Sequence, residues 1–143
     1  MSVPVATDML FDLELFYARQ QHRLDTGDVE GFLSDFTEDG SFGVGQAEPL
    51  RGRAAIGRAM TALVTRFAET EVTRHHWFGM RKADLQADGV LRVTYYAMVS
   101  HTSADGSVRM EPSSVVVDLL EGAASGALRV RSRSITLDLA PAV

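Results

Sequence analysis

The chain has no cysteine, so disulfides, thiolate metal sites and a cysteine nucleophile are excluded. It has no basic excess either: 14 Lys and Arg stand against 19 Asp and Glu, for a net charge of −5. Nucleic-acid surfaces normally need a basic stripe, so no nucleic-acid partner is expected. No apolar run approaches the ~20 residues of a membrane span, and no basic segment precedes an apolar stretch at the N-terminus. A soluble, cytoplasmic protein without a membrane partner is the expectation. Also missing are a Gly-rich phosphate loop, a nucleophile elbow and a dinucleotide fingerprint, the usual sequence marks of nucleotide-dependent and serine-hydrolase chemistry. With no repeat, low-complexity segment or linker, residues 1–143 read as a single domain long enough to bury a core.

What is present is a change of periodicity along the chain. From about residue 7 to 24 the apolar positions repeat at helical spacing. Phe11, Leu15, Ala18 and His22 form one stripe, which Leu10, Leu13, Tyr17 and Leu24 widen. Thr26-Gly27-Asp28 breaks this helix, with Gly27 suited to its C-terminal stop and Asp28 to the next N-cap. Val29, Phe32, Leu33 and Phe36 predict a short second helix, Glu38-Asp39-Gly40 a turn, and Ser41 to Gly45 a short strand. Ile56, Met60, Leu63 and Phe67 predict a third helix.

Beyond about Glu71 the period changes to two. Val72, His76, Phe78 and Met80 share one parity; Thr73, His75 and Trp77 share the other. Further strands are expected over Leu91–Thr102, Val108–Leu120 and Leu128–Leu139, with Asp105-Gly106 as a hairpin turn. Three helices followed by long strands make an α+β fold, a cone with three N-terminal helices packed on a strongly curved, mainly antiparallel sheet around an apolar pocket. Trp77, Tyr96 and Met98 fall on the outer sheet face, where an apolar surface favours a homodimer.

This order, with Leu24-Asp25-Thr26-Gly27-Asp28, Phe36-Thr37-Glu38-Asp39-Gly40 and Arg51-Gly52-Arg53-Ala54-Ala55-Ile56, resembles the NTF2-like superfamily over nearly the whole chain. It is most similar to the SnoaL-like and scytalone-dehydratase-like branch. The superfamily contains isomerases, epoxide hydrolases, polyketide cyclases, dehydratases and many non-enzymes, so the resemblance implies a fold before it implies an activity. Arg74-His75-His76-Trp77-Phe78-Gly79 resembles the dehydratase segment that carries a pocket histidine followed by an aromatic and a glycine. His101 lies 25 positions later, matching the place of that enzyme's second catalytic histidine, and His22 lies 54 positions before His76, in the place of its catalytic aspartate. Its carbonyl-polarising tyrosines are replaced here by Gln21 and by Ser41 or Phe42, and the polar amide of its later strand is replaced near Ser114–Val117. The resemblance therefore implies the reaction class rather than the substrate.

Imidazoles titrate near neutrality and can exchange protons at working pH. His76 and His101 are the candidate acid/base pair, with His22 as relay. Tyr17 and Tyr95 are candidate carbonyl-polarising hydroxyls, and Phe78 and Val99 are candidate pocket walls. His75 has the opposite parity and belongs on the outer face. Asp25 and Asp28 are either catalytic carboxylates or caps, and their place at a helix–helix joint favours capping. Asp118 lies mid-strand and needs a partner, either Arg131 or Arg133, or else orients a histidine in the cavity. Arg129, Arg131 and Arg133 alternate, so all three are expected on one face, either solvated or anchoring an anionic group; Arg131 is the candidate anchor. No metal site is expected, because the only close histidine pair, His75-His76, points apart in a strand.

The primary reading is a dehydratase, cyclase or isomerase that needs no cofactor and acts on a small, hydrophobic, oxygenated metabolite of polyketide type. Alternatives are a cyclase that works by shape alone, a non-catalytic binding module, and an oligomerisation scaffold whose pocket is filled by Phe11, Phe78 and Tyr95.

Overall fold

The computed structural model describes residues 2–139. A two-residue strand β1 (Val3–Pro4) precedes helix α1 (Thr7–Asp25), the short helix α2 (Val29–Ser34), strands β2 (Phe36–Val44) and β3 (Leu50–Arg51), and helix α3 (Arg53–Glu69). The sheet is completed by β4 (Thr73–Leu85), β5 (Leu91–Thr102), β6 (Val108–Met110), β7 (Ser114–Glu121) and β8 (Arg129–Leu137). Strand order is β1-β4-β5-β7-β8-β2-β3, with β6 paired to β5 beside β7. All neighbours are antiparallel except β2 and β8. This is the expected α+β cone.

Helix α1 ends as the sequence predicts. Gly27 adopts φ 88°, a conformation that suits glycine because it has no Cβ. Asp28 then caps α2, its Oδ1 accepting the Gly31 amide at 2.9 Å. The face that α1 buries differs from the expectation. Leu13, Phe16, Tyr17, Gln20, Gln21 and Leu24 are inside, whereas Phe11 and Leu15 are 67% and 48% exposed and His22 is exposed as well. Both sides of α1 carry apolar residues at its start, and the buried side carries two glutamines further along. Apolar counting scores those glutamines as surface; inside the fold Gln20 Oε1 accepts from both Gln21 and Arg133, which offsets part of the cost of burying them.

Bulges correct the strand expectations. Glu38-Asp39-Gly40, expected as a turn, is an irregular stretch within β2, where the register on β8 shifts between Phe36 and Ser41. A Cβ on Gly40 would sit 3.2 Å from the Val130 carbonyl, so the close approach of β8 suits a residue without one. Val108–Leu120 is divided into β6 and β7 around Pro112, whose missing N–H cannot join a ladder. In β4 the register shifts between Gly79 and Lys82, and Met80 takes φ 56° and lies 79% exposed, off the inner face.

The core lies between the helices and the concave face of the sheet: Leu13, Phe16, Phe32, Phe36, Ile56, Leu91, Val93, Val116, Leu120 and Val130 are all buried in it. Trp77, Tyr96 and Met98 lie exposed on the convex face, as their parity predicts. Among the described residues, no helix is long and apolar enough to cross a membrane.

Candidate active site

The mouth of the cone opens into a cavity of about 240 Å³. Leu24 of α1, Phe32 of α2, Met60 and Leu63 of α3, Phe42 of β2 and Ile135 of β8 supply most of its apolar wall. The strands of the concave face add Phe78, Ala97, Val99 and Val116. Into this apolar space project Gln21, Arg74, His76, Glu111, Ser114 and Arg133. Phe11 lies outside the cavity, so it does not fill it.

His76 is the residue whose predicted direction the structure reproduces most directly. Paired with Val99 across the β4–β5 ladder, it faces inward with that residue. Asp25, in the last turn of α1, bonds it twice: Oδ1 lies 2.6 Å from His76 Nδ1, and Oδ2 accepts the His76 backbone N–H at 3.1 Å. This overturns the capping role expected of Asp25; the capping is done by Asp28. With Nδ1–H donated to the carboxylate, Nε2 carries the lone pair of the neutral ring, and that lone pair faces Arg74. Nε2 lies 3.4 Å from Arg74 Nη1.

His101 is buried, yet it does not line the cavity. Phe67 covers its ring edge-on at 4.9 Å between centroids. Its Nε2 meets Glu111 Oε2 at 2.5 Å and its Nδ1 lies 3.3 Å from Arg109. The same Glu111 oxygen accepts from Arg74 Nε at 3.0 Å and lies 2.9 Å from Arg74 Nη2 in an ion pair. The two histidines are thus joined indirectly, through Asp25–His76–Arg74–Glu111–His101. Burial alone would raise the Glu111 carboxyl, but the hydrogen bond from His101 and the Arg74 charge outweigh it and hold the group below its usual range.

A second polar group is buried behind the cavity wall. Asp118 is fully buried and opposite Arg133 in the β7–β8 ladder. Arg133 donates to it from Nε and Nη2, both at 2.9 Å, and Nη2 also donates to Gln20 Oε1 at 2.8 Å. Tyr17 and Tyr95 donate their hydroxyls to Asp118 Oδ2 at 2.7 and 3.0 Å. Both are therefore committed to a structural carboxylate and do not act as the expected carbonyl-polarising groups. Burial, reinforced by Asp118, raises both phenols well above their ordinary range. Arg133 stays charged: burial opposes its charge, but Asp118 overcomes that and pushes the pKa up.

The expected anchor Arg131 is exposed. A register shift between Leu119 and Leu120 places Val130 opposite Leu120 and Ser132 opposite Leu119, so Arg131 bulges out of the ladder. The bulge reverses the parity that follows and turns Arg133, not Arg131, inward. Arg129 also lies exposed. His22 does not line this cavity; it lines a more open cleft between α1 and β4 that also reaches Asp25 and His76, together with His75, Trp77 and Arg81. Among the described residues, no group of three or more His, Asp or Glu side chains is placed to hold a metal ion.

Sequence reasoning missed Glu111, Arg74 and Arg133 as site residues and ranked Asp25 as a cap ahead of a catalytic carboxylate. The one available signal was chemical: a buried Asp118 demanded a cation, and Arg133 was one of the two named for it.

Comparison with known proteins follows the same lines. The family model described as a SnoaL-like domain matches residues 12–134. The structure of Aln2 from a Streptomyces species superposes with a TM-score of 0.86 at 36% identity, covering 94% of each chain. ActVI-ORFA from Streptomyces coelicolor gives 0.86 at 31% identity, over 95% of this chain and 100% of that one. A protein from Catenulispora acidiphila, solved in complex with S-DNPA, gives 0.82 at 31% identity over 93% and 96%. A search of curated protein sequences found no match.

Proposed function

The chain belongs to the SnoaL-like family, and from that premise we propose that it is an acid/base enzyme, a dehydratase, cyclase or isomerase, acting on a small oxygenated metabolite of polyketide type. The observation that carries this reading is the Asp25–His76 pair at the edge of an apolar cavity. His76 Nε2 is the base that takes a proton from carbon next to a carbonyl, and Asp25 holds the ring in the required tautomer and stabilises the imidazolium that forms. Arg74 places positive charge beside the reacting atoms, and Glu111 with His101 holds Arg74 in place. The apolar wall excludes water and orients the ring system, which matters for a reactive enolate. Such chemistry needs no cofactor: the proton that His76 takes from carbon can return to the departing hydroxyl, which leaves as water, or to another atom of the substrate, with no net change of oxidation state.

One relative of this fold, from Catenulispora acidiphila, was solved in complex with S-DNPA, which supports reading the family as one that binds ligands. The test is turnover of hydroxylated polyketide-like compounds, followed by mass spectrometry for loss of water or isomerisation. His76→Ala and Asp25→Asn, each shown to be folded, should lose at least ~100-fold in kcat. Binding without turnover, unchanged in both variants, would turn the assignment to a non-catalytic binding module.

We also propose that the protein pairs as a homodimer through its convex sheet face. Trp77, Met80, Tyr96 and Met98 lie exposed there together, and an apolar patch of this kind is usually covered in solution.

A further inference from the structure

His76 serves two openings. It lines the cavity inside the cone and also the cleft of about 410 Å³ between α1 and β4. Asp25 lines that cleft but not the cavity. Their hydrogen bond, from Nδ1 to Oδ1 at 2.6 Å, therefore connects the interior of the cone with a cleft whose rim residues His22, His75 and Trp77 are exposed.

Few groups in this cleft can carry a proton further at neutral pH. Glu14 is paired with Arg81 at 3.1 Å, and a guanidinium keeps its protons. The Tyr17 hydroxyl is donated to Asp118, and burial raises its pKa well above the ordinary phenol range. Besides His76, two imidazoles remain, His22 and His75, and imidazole is the side chain suited to passing protons near neutrality. His75 alternates with His76 along β4, so the two leave opposite faces of the strand. The His75 ring lies 6.5 Å from that of Trp77. His22 precedes Asp25 by three residues on α1, which puts the two on one side of the helix with about 5–6 Å between their Cβ atoms. Among the described residues the His22 ring has no hydrogen-bond partner; outside the helix only its main-chain carbonyl is engaged, by Thr26. A smaller cavity beside α3 also reaches the pair, but its only other charged side chain is Arg74.

We propose that His22 carries protons between the Asp25–His76 pair and solvent across the cleft. It serves the pair and does not meet the substrate, since it is not part of the cavity lining. A proton taken up at His76 Nε2 is balanced by release of the Nδ1 proton to Asp25. Cleft water passes that proton to one nitrogen of the neutral His22 ring, and the other nitrogen releases one to solvent. The reverse sequence recharges the pair. Its use in turnover rests on the reading of His76 as the base; the exchange itself needs no substrate.

The experiment follows the His76 Nδ1 proton by NMR at neutral pH, in substrate-free protein isotopically labelled on its histidine nitrogens. Saturation transfer from water measures how fast that proton exchanges. His22→Gln, at an exposed position, should slow exchange about tenfold, less than the ~10²–10⁴ of a group that meets a substrate, because water still reaches Asp25. Free imidazole added to the buffer should restore the wild-type rate, which a merely structural effect would not allow. A signal too broad to resolve in wild type that becomes visible in His22→Gln supports the path equally. An unchanged rate, a signal missing from both proteins, or a slowed rate that imidazole leaves alone overturns the proposal. His75→Gln should exchange as wild type does, and an equal loss there overturns His22 as the carrier. Turnover separates the two readings. Exchange slowed by His22→Gln with turnover unaffected by His76→Ala refutes the base and spares the path, whereas turnover lost in His76→Ala with exchange unaffected by His22→Gln refutes the path alone.

Discussion

Asp25 and His76 lie 51 positions apart in the chain, yet Asp25 Oδ1 is 2.6 Å from His76 Nδ1 and Oδ2 accepts the His76 main-chain amide. One carboxylate therefore fixes both the ring and the strand that carries it. Asp25→Asn keeps the shape but replaces a pure acceptor with a group that also donates. Its kcat should fall by ~10²–10⁴ with KM changed far less. A proportional rise in KM with kcat preserved would show that Asp25 shapes the cavity rather than the base.

His101 should matter less than His76. It acts on the cavity only through Glu111 and Arg74, so His101→Gln, which can still donate to Glu111, should cost under ~10-fold in kcat, while His76→Gln costs ~10² or more. Equal losses in the two variants would restore the two-histidine catalytic pair.

Glu111 makes stability depend on acid pH. Its carboxyl ionises at lower pH in the folded chain than in the unfolded one, so the unfolded chain binds the extra proton as pH falls. The stabilisation is complete above the ordinary carboxylate value of 4.5 and is lost as pH drops through the lower, folded value. Urea midpoints between neutral pH and pH ~3 should therefore fall less steeply in Glu111→Gln than in wild type. Parallel profiles would exclude Glu111 as a contributor.

Removing one member of the buried ion pair should be far worse than removing both. Arg133→Met leaves Asp118 uncompensated and should cost about 3–5 kcal/mol, most of it recovered by adding Asp118→Asn. Chemical denaturation of the three variants measures the coupling. Additive losses would mean that the two side chains contribute independently.

The convex face supplies a prediction about assembly. Sedimentation equilibrium should give twice the 15.6 kDa chain mass, and Trp77→Glu with Met98→Lys should give a monomer with an unchanged far-ultraviolet spectrum. A monomeric wild type would leave that apolar surface to another use.

The architecture was legible because it depends on patterns local in sequence. Helical and strand periods, the Gly27 stop, the Asp28 cap and the inward parity of His76 and Val99 each need only neighbouring residues to be read. Where patterns failed, the cause lay outside the segment. Gln20 and Gln21 count as polar in α1, yet both are buried: Gln20 Oε1 accepts from Arg133, and Gln21 donates to the same oxygen. Arg131 and Arg133 alternate in sequence, but a bulge near Arg131 exposes one and buries the other.

By itself, then, the sequence determined the α+β cone, the absence of thiol chemistry and the presence of a histidine facing inward. Only the tertiary structure decided what that histidine faces. It brought Asp25 to His76, interposed Arg74 and Glu111 before His101, left His22 outside and committed both tyrosine hydroxyls to Asp118. The reason is physical: periodicity selects a face, whereas hydrogen-bond partners are chosen by distance between segments that only the folded chain brings together, under the requirement that each buried charge find its counterpart.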